Sequence, residues 1–514
     1  MDQHEAGLRR REFIERTAYA AGLAGLASAL PLSTLLQEAA RAQVTPLPSP
    51  QNLPIDHFVV VCMENRSFDH YFGWLAGLAD ASQNETYIDN STAGDGVATG
   101  QPVSTFHFRD LPGDSDYQGC GHPDPGHGWT SGRRQLEDGF LAAGSGNDAF
   151  ALTYFDEDDL GFIHAAAKEF TVFDNFHCSA LTSTWPNRYY KWSAQAGGIK
   201  NNNPPAATLG NQWETIFDRA LANNPADVAG PGLLTARYYN SDLPFSAVWG
   251  PRAIPWTRPL AEYYADAAAG TLPNITFIDP PFRDGGGFDG NSADEHPLGD
   301  VRLGQAWMAD VVRAFVASPN YRRGALFVVY DEWGGFFDHV TPPKAPDNRA
   351  DADLNEDWSQ MGFRIPAVCV SPYSRNTTGL TARVRTGTQA LGFESILKLI
   401  SYRFGLGTLK LGAPGSAGPD NIRHRDAFNI GELLDFSLDP AADPPNLPDY
   451  EHILSRPCEA GGGDLVQDSE QAHANDLAEL AELADDFGFR VGDSRPSDLF
   501  TKPDSVRRAL RAAR

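Results

Sequence analysis

The chain has 514 residues, of which 41% are hydrophobic and 11% aromatic, so it can bury a large core. This length favours one catalytic domain with appendages over a minimal domain. The formal net charge of -26 at pH 7 opposes binding to nucleic acid or to an anionic membrane through a basic surface. We therefore expect no nucleic-acid partner, and no stable protein partner is inferred.

The N-terminus has the three parts of an export signal. Arg9, Arg10 and Arg11 form a basic segment, residues 17–36 are mildly apolar, and Ala40-Arg41-Ala42 has the small residues of a cleavage site. Paired arginines before an apolar stretch are typical of the twin-arginine variant, whose export machinery would be a partner. We predict that residues 1–42 are this signal and that the mature protein is periplasmic, in the cell envelope or extracellular. The alternative is an ordinary amphipathic helix.

An apolar run from Phe58 to Met63 is followed directly by Glu64 and Asn65. An unbroken, β-branched run is typical of a strand that is buried on both faces of a sheet. In open α/β sheets, ligands bind just past the carboxyl ends of such strands. Glu64 and Asn65 are therefore predicted to lie in a site at the edge of the sheet.

Short apolar runs alternate with helical patterns along the rest of the chain. The runs are residues 170–173, 234–239, 275–278, 325–330 and 365–370, and the clearest helical patterns are residues 301–317 and 395–402. This alternation predicts an α/β fold with a mostly parallel central sheet sandwiched by helices and with long loop insertions. We assign residues 43–458 to the catalytic domain and residues 459–514 to an acidic, partly helical C-terminal tail, to which we give no catalytic role.

Cysteines are few and scattered, which excludes a disulfide framework or a zinc finger. Cys62 and Cys369 lie inside apolar runs and should behave as small buried hydrophobic residues. Spacing does not determine a disulfide, but a bridge between Cys120 and Cys178 is the one that we consider.

Two histidines lie in polar loops. His127 follows two prolines and is predicted to donate to a phosphoryl oxygen or to protonate a leaving group, unless it is only a surface residue. His296 precedes the helical pattern of residues 301–317, where a role as metal ligand or general acid competes with an N-terminal turn rich in capping residues.

Thr184 precedes Pro186 and a helical pattern over residues 187–196, which places its hydroxyl close to a helix N-terminus. The free N–H groups and the dipole of a helix start stabilise a bound phosphate. Because a threonine hydroxyl alone is a poor nucleophile, it needs a base or a metal ion. The alternative is a simple capped helix start.

The run that ends at Tyr330 is followed by Asp331 and Glu332, a flexible Gly-Gly pair, and then Asp338 and His339. Adjacent acids repel each other unless a cation lies beside them. Oxygen ligands favour a hard divalent cation such as calcium, whereas histidines shift the preference towards manganese, iron or zinc. The alternative is a solvated acidic turn.

Together these segments resemble the bacterial phosphoesterase family that contains phospholipases C, an acid phosphatase branch and the plant non-specific phospholipases C. The resemblance extends from about Pro54 to Phe436. Its motifs are Glu64-Asn65-Arg66-Ser67-Phe68-Asp69, Glu169-Phe170-Thr171-Val172-Phe173-Asp174, Thr184-Trp185-Pro186-Asn187-Arg188, the segment from Asp331 to His339, the segment from Pro366 to Tyr373, Ser395-Ile396-Leu397-Lys398 and Arg425-Asp426.

The resemblance implies an alkaline-phosphatase-like fold and a metal-bound hydroxyl nucleophile. Carried over residue by residue, it implies that Thr184 is the nucleophile and that a divalent metal ion is the cofactor. The implied metal ligands are Glu64, Asn65, Asp331 and Glu332, and the residues that handle phosphate or leaving group are His127, His296 and His339. The chain departs from the pattern at Gly392-Phe393-Glu394-Ser395, where many relatives have Asp-His-Thr-Ser.

The leading hypothesis is an exported metal-dependent phosphoester hydrolase of phospholipase C type that acts on a phospholipid or small phosphate ester through a phospho-threonine intermediate. The first alternative is a non-specific acid phosphatase for phosphomonoesters. The second is an exported phosphate-binding protein without turnover, which the missing histidine keeps open.

Overall fold

The structure is a computed structural model. It describes residues 47–75, 86–88, 102–112, 117–205, 209–222, 233–282, 292–379, 381–387, 389–450, 453, 458 and 464–491. The predicted export signal over residues 1–42 lies outside these ranges.

Eight strands form the central sheet. They are β1 (His57–Met63), β6 (Thr171–Phe173), β7 (Ala236–Asn240), β8 (Thr257–Pro259), β9 (Ile275–Asp279), β10 (Gly324–Tyr330), β11 (Ala367–Val370) and β12 (Arg383–Arg385). Two small sheets pair β2 (Thr86–Ile88) with β3 (Pro102–Ser104), and β4 (Phe106–His107) with β5 (Thr153–Tyr154).

The strand order across the central sheet is β12-β6-β11-β10-β1-β9-β7-β8. All pairs are parallel except the two that β11 makes, with β10 and with β6. β1 and β10 lie in the middle, and every residue of β10 is buried. The continuous apolar runs of β1 and β10 are therefore strands covered on both faces, as predicted.

The described ranges also contain helices. They are α1 (Phe68–Phe72), α2 (Trp129–Asp138), α3 (Gly161–Glu169), α4 (Thr184–Ser193), α5 (Ile216–Leu221), α6 (Leu260–Ala269), α7 (Val301–Ala317), α8 (Phe393–Phe404), α9 (Ile422–Asp426) and α10 (Asp464–Asp486). The predicted α/β class with a large, mostly parallel sheet flanked by helices is confirmed, whereas the alkaline-phosphatase-like topology stays a prediction. None of the helices in the described ranges is long and apolar enough to cross a membrane.

The disulfide that we considered between Cys120 and Cys178 is wrong. Cys120 is bonded to Cys458, 338 residues away in sequence, with a Cα–Cα distance of 5.3 Å. Cys178 is a free, buried thiol. Cys62 and Cys369 are also free and buried, as predicted. The bridge fastens the start of the C-terminal tail to the loop that precedes His127.

Candidate active site

Two neighbouring strand ends bring four polar residues together. β1 and β10 pair in parallel in a register that places the residues after each strand, Glu64 and Asp331, side by side. The backbone N–H of Asn65 donates to Asp331 Oδ1 at 3.2 Å, and that of Glu332 donates to the same oxygen at 2.7 Å. The four residues predicted to hold a metal ion therefore converge at one edge of the sheet.

The Gly-Gly pair after Glu332 has a packing role. Gly334 has φ of 63°, and a Cβ atom there would lie 2.1 Å from the carbonyl oxygen of Asn65. Asn65 itself has φ of 58°, a left-handed conformation that asparagine adopts more readily than most residues. The two turns can thus approach each other closely only because a glycine is present.

The guanidinium of Arg188, from α4, lies among the strand-end acids. Its Nη2 is 3.0 Å from Glu64 Oε1, its Nη1 is 2.9 Å from Asp279 Oδ1, and its Nε is 3.1 Å from Asp331 Oδ2. Lys191 Nζ is 2.7 Å from the same Asp279 oxygen. All of these side chains are buried, so the ion pairs replace the water that the charges have lost.

We call the six residues Glu64, Asp279, Asp331, Glu332, Arg188 and Lys191 the strand-end cluster. Its four acids outnumber its two cations. Within the described part of the chain, Glu64 Oε2, Glu332 Oε1 and the neighbouring Asn65 Oδ1 are buried and accept no hydrogen bond. Unpartnered buried oxygen atoms are costly, and native proteins contain few of them.

Burial is the main cause that raises the pKa of Glu64 and of Glu332 well above the usual range of a glutamate. Repulsion from Asp331 raises the pKa of both further, while Arg188 opposes the shift at Glu64. A divalent cation would be bound by the free oxygen atoms and would favour the ionised carboxylates. The donor set therefore fits a divalent cation at this position.

The two loop histidines lie together beside this edge. His127 Nε2 is 3.3 Å from Asn65 Nδ2, and the ring centroids of His127 and His296 are 5.8 Å apart. Asp124 Oδ2 is 3.6 Å from His296 Nε2 and 4.0 Å from His127 Nδ1. His127 and His296 therefore lie near one carboxylate and border the strand ends, and their roles in the reaction stay predictions.

Backbone carbonyls fix the orientation of both rings. His127 Nδ1 donates to the carbonyl of Pro125 at 2.8 Å, and His296 Nδ1 donates to that of Pro297 at 2.5 Å. Since a carbonyl can only accept, each Nδ1 carries a proton. In the neutral rings, the lone pair is consequently on Nε2.

Thr184 is the first residue of α4 and is 7% exposed. Its neighbour Ser183 makes no capping hydrogen bond with its side chain. Instead, Asn202 Oδ1 accepts the N–H of Trp185 at 2.8 Å. Asn187 Nδ2 donates to the Ser183 carbonyl at 3.2 Å and so holds the entry to the helix. The predicted position of Thr184 at a helix start agrees with the structure.

Arg188 is four positions after Thr184 in α4, so the two lie one turn apart on the same side of the helix. Arg188 is held by acids at the ends of β1, β9 and β10, so the middle of α4 is fixed at the strand ends, one turn after Thr184. The helix thus connects the predicted nucleophile with the predicted metal ligands.

Comparison with known proteins identifies the family of the chain. The family model described as "Phosphoesterase family" matches residues 55–407, which is more than half of the chain. The chain belongs to the Phosphoesterase family. The predicted enzyme class, a phosphoric ester hydrolase, is the class of that family.

Three relatives illustrate the similarity. "Non-specific phospholipase C1" of Arabidopsis thaliana is 29% identical over 63% of this phosphoesterase and 62% of its own length. "Non-hemolytic phospholipase C" of Burkholderia pseudomallei is 27% identical over 77% of this chain and 61% of its own. "Phospholipase C A" of Mycobacterium tuberculosis is 29% identical over 86% of this chain and 88% of its own. The chain thus spans less than two thirds of the first of these relatives.

Among solved structures, "Crystal structure of Ps i-CgsB" superposes with a TM-score of 0.30 at 12% identity, over 55% of this chain and 72% of that chain. This likeness is too distant to carry an argument about fold or site.

His339 of the phosphoesterase lies in a second cluster. Its Nδ1 is 2.5 Å from Asp69 Oδ2, and Arg364 joins Asp69 Oδ1 at 2.8 Å and Asp338 Oδ1 at 2.9 Å. We call these four residues the Asp69 cluster. In the described ranges no hydrogen bond or ion pair links it to Glu64. The catalytic role of His339 stays a prediction.

The sequence analysis did not select Arg188, Lys191, Asp124 or His473 as site residues. Arg188 and Lys191 lie one and two turns after Thr184 on the same helix, and this spacing could have identified them as site residues. Asp124 lies in the same rigid loop as His127. His473 lies in the tail, and its ring stacks on His296 with a centroid distance of 3.8 Å. Nothing in the local sequence predicts that contact.

The departure at Glu394 has a structural counterpart in this phosphoesterase. Ser179 Oγ donates to Glu394 Oε2 at 2.6 Å, and Arg423 Nη1 is 3.4 Å from Glu394 Oε1. Glu394 is buried at the start of α8 and is tied to the segment that leads into α4. Phe393, which is buried, stands at the position of the histidine in that pattern, and the carboxylate next to it is paired with arginine.

Proposed function

We propose that this chain is an exported, metal-dependent phosphoester hydrolase of phospholipase C type with Thr184 as its nucleophile. The observation that carries the proposal is the set of buried, unpartnered oxygen atoms of Glu64, Asn65 and Glu332, next to the helix that begins at Thr184. The names of the phospholipase C relatives support a phospholipid substrate.

Glu64, Asn65, Asp331 and Glu332 would hold the cation, whose identity among calcium, manganese, iron and zinc is left open. When bound, such an ion lowers the pKa of a nearby hydroxyl and offsets negative charge on the phosphoryl oxygens. The donors present are those that hard divalent cations prefer.

In the proposed reaction, Thr184 Oγ attacks phosphorus in line with the leaving alcohol, its proton is lost, and the bond from phosphorus to that alcohol breaks. The positive end of α4 stabilises the equatorial oxygens. Nε2 of His127, which bears the lone pair of the neutral ring, takes up the proton that Thr184 loses and delivers it to the departing oxygen. Water then attacks the phospho-threonine, which restores the threonine hydroxyl and releases the phosphomonoester.

A panel of three substrates tests the type of ester that the purified mature chain accepts. A phospholipase C should hydrolyse phosphatidylcholine and p-nitrophenyl phosphorylcholine faster than p-nitrophenyl phosphate. A preference for the monoester, with no turnover of phosphatidylcholine, would instead identify an acid phosphatase. Tight binding of metal and phosphate without turnover of any substrate would identify a binding protein.

Two adjacent hydroxyl groups offer a matched test of the nucleophile. Thr184→Ala should lower kcat by about three powers of ten or more, because the covalent step loses its nucleophile. Ser183→Ala, whose Oγ has no hydrogen-bond partner among the described residues, should stay within a few-fold of the parent. Full activity of Thr184→Ala would remove this residue from the mechanism.

A further inference from the structure

The C-terminal tail folds back onto the candidate site through α10. Leu480 and Ala484, four residues apart, are 2% and 0% exposed, and the helix packs against residues 245–256. His473 and Asp476 continue the same helix face towards the site. The apolar part of this face anchors the helix, and its polar part lies next to catalytic elements.

Asp476 connects α10 with the start of α4. Asn202 Nδ2 donates to Asp476 Oδ2 at 2.7 Å, while Asn202 Oδ1 accepts the N–H of Trp185 at 2.8 Å. One asparagine thus links the tail helix to the residue next to Thr184. A change in the position of α10 would be transmitted to the proposed nucleophile.

The disulfide anchors the other end of the tail. Cys458 is bonded to Cys120, and its Sγ lies 3.9 Å from the carbonyl oxygen of Leu298, two residues after His296. Fourteen residues lie between Cys458 and His473 in sequence. The bridge therefore fixes the tail beside the same loop against which His473 packs.

His473 places a third potential metal ligand beside Glu64 and His296. One ligand atom each from Glu64, His296 and His473 lies within 4.8 Å of the others. In the described structure, Glu64 Oε2 and His473 Nε2 are buried and have no hydrogen-bond partner. The Nδ1 of His296 is occupied by the Pro297 carbonyl, which leaves its Nε2 for a ligand, as is usual for metal-binding histidines.

We propose that Glu64, His296 and His473 form a second cation site, next to the oxygen donors of the first. This inference rests on the proposed function, because Glu64 belongs to both donor sets. Two imidazoles and one carboxylate favour a transition metal such as zinc, manganese or iron over calcium or magnesium. The C-terminal tail is then part of the catalytic centre, and its histidine is a ligand supplied from outside the segment that the family model matches.

His473→Phe in the full-length mature chain tests the site, since phenylalanine keeps the ring that stacks on His296 and removes both nitrogen atoms. Zn²⁺ binding is measured by competition with a chromophoric chelator. We expect one bound Zn²⁺ to be weakened by about 100-fold, at the upper end of the losses seen when metal sites are perturbed. The control is Glu482→Gln on the exposed face of α10, which should bind Zn²⁺ like the parent. Identical titration curves for His473→Phe and the parent would overturn the proposal.

If His473→Phe fails to fold, X-ray absorption of the Zn²⁺-loaded parent decides the question. Scattering from at least two imidazole rings per chain supports the second site, and its absence contradicts it. Both readouts are independent of activity. A parent that binds Zn²⁺ through His473 but hydrolyses no phosphoester would contradict only the proposed function, whereas an active enzyme with an unchanged His473→Phe titration would contradict only the second site.

Discussion

The strand-end cluster and the Asp69 cluster both bury carboxylates around an arginine, but they differ in how completely their oxygen atoms are paired. In the Asp69 cluster, Arg364, His339 and backbone N–H groups contact both oxygens of Asp69 and both of Asp338. In the strand-end cluster, Glu64 and Glu332 each keep one buried oxygen without a partner in the described structure. Paired carboxylate oxygens are typical of an ion-pair network, although His339 Nε2 of the Asp69 cluster also has no hydrogen-bond partner in the described structure. A surplus of unpaired acid oxygens is what a cation site requires.

The pKa shifts of Asp69 and Glu64 also differ between the two clusters. Burial alone would raise the pKa of Asp69, but Arg364 and His339 bring it below its usual value. For Glu64, burial prevails over Arg188, and the pKa is raised well above the usual range. Two buried clusters of similar composition thus differ in their balance of charge.

The sharpest test of this comparison is Glu64→Gln. It should reduce turnover by about three powers of ten, because it removes one ligand of the proposed cation. It should change the free energy of unfolding of the metal-free protein by only about 1 kcal/mol, because Arg188 keeps Asp279 and Asp331 as partners. Turnover and urea unfolding check both parts. A large loss of stability with normal turnover would contradict the proposed role of the strand-end cluster in holding a cation.

Asp69→Asn should show the opposite pattern. Arg364 and His339 would lose a buried partner, so unfolding should become easier by about 3 kcal/mol, as when one member of a buried ion pair is removed. The measurement is urea unfolding, with Asp485→Asn on the exposed face of α10 as control. Turnover per folded molecule also tests His339, because a large loss there would support its predicted catalytic role.

Metal binding should stabilise the parent protein but not Glu64→Gln. A ligand at about 100 times its dissociation constant adds about 2.7 kcal/mol to the free energy of unfolding. We expect a stabilisation of this order when Zn²⁺ or Mn²⁺ is added to chelator-treated parent, together with recovery of turnover. Equal stabilisation of parent and Glu64→Gln would place the cation elsewhere.

The smallest expected effect is a dependence on pH in the Asp69 cluster. Burial, with repulsion from Asp69, raises the pKa of Asp338 to about 6. Between pH 4 and pH 6 the native state binds a proton that the unfolded chain releases, so this group contributes less stability as pH rises through 6. Relative to the parent, Asp338→Asn should therefore gain on the order of 2 kcal/mol between pH 4 and pH 7, measured by urea unfolding at both values. A difference that does not vary with pH would contradict this assignment.

Much of the fold follows from local pattern. The run before Glu64 and the run before Asp331 became the two central strands, and the pattern over residues 301–317 became α7 with those bounds. The antiparallel direction of β11 was not predictable, because its apolar run has the same composition in either direction. The Cys120–Cys458 bridge was also beyond reach, since sequence separation does not report spatial distance.

The sequence by itself determined which residue types stand at the ends of strands and at the start of α4, because the alternation of apolar runs and polar residues is a local property of the sequence. Only the tertiary structure decided that Arg188 neutralises part of the acid cluster, that His339 lies in another cluster, and that His473 reaches His296 from the tail. The physical reason is that each of these contacts joins segments far apart in sequence, and their distances are set by sheet register, helix packing and a disulfide rather than by local preference.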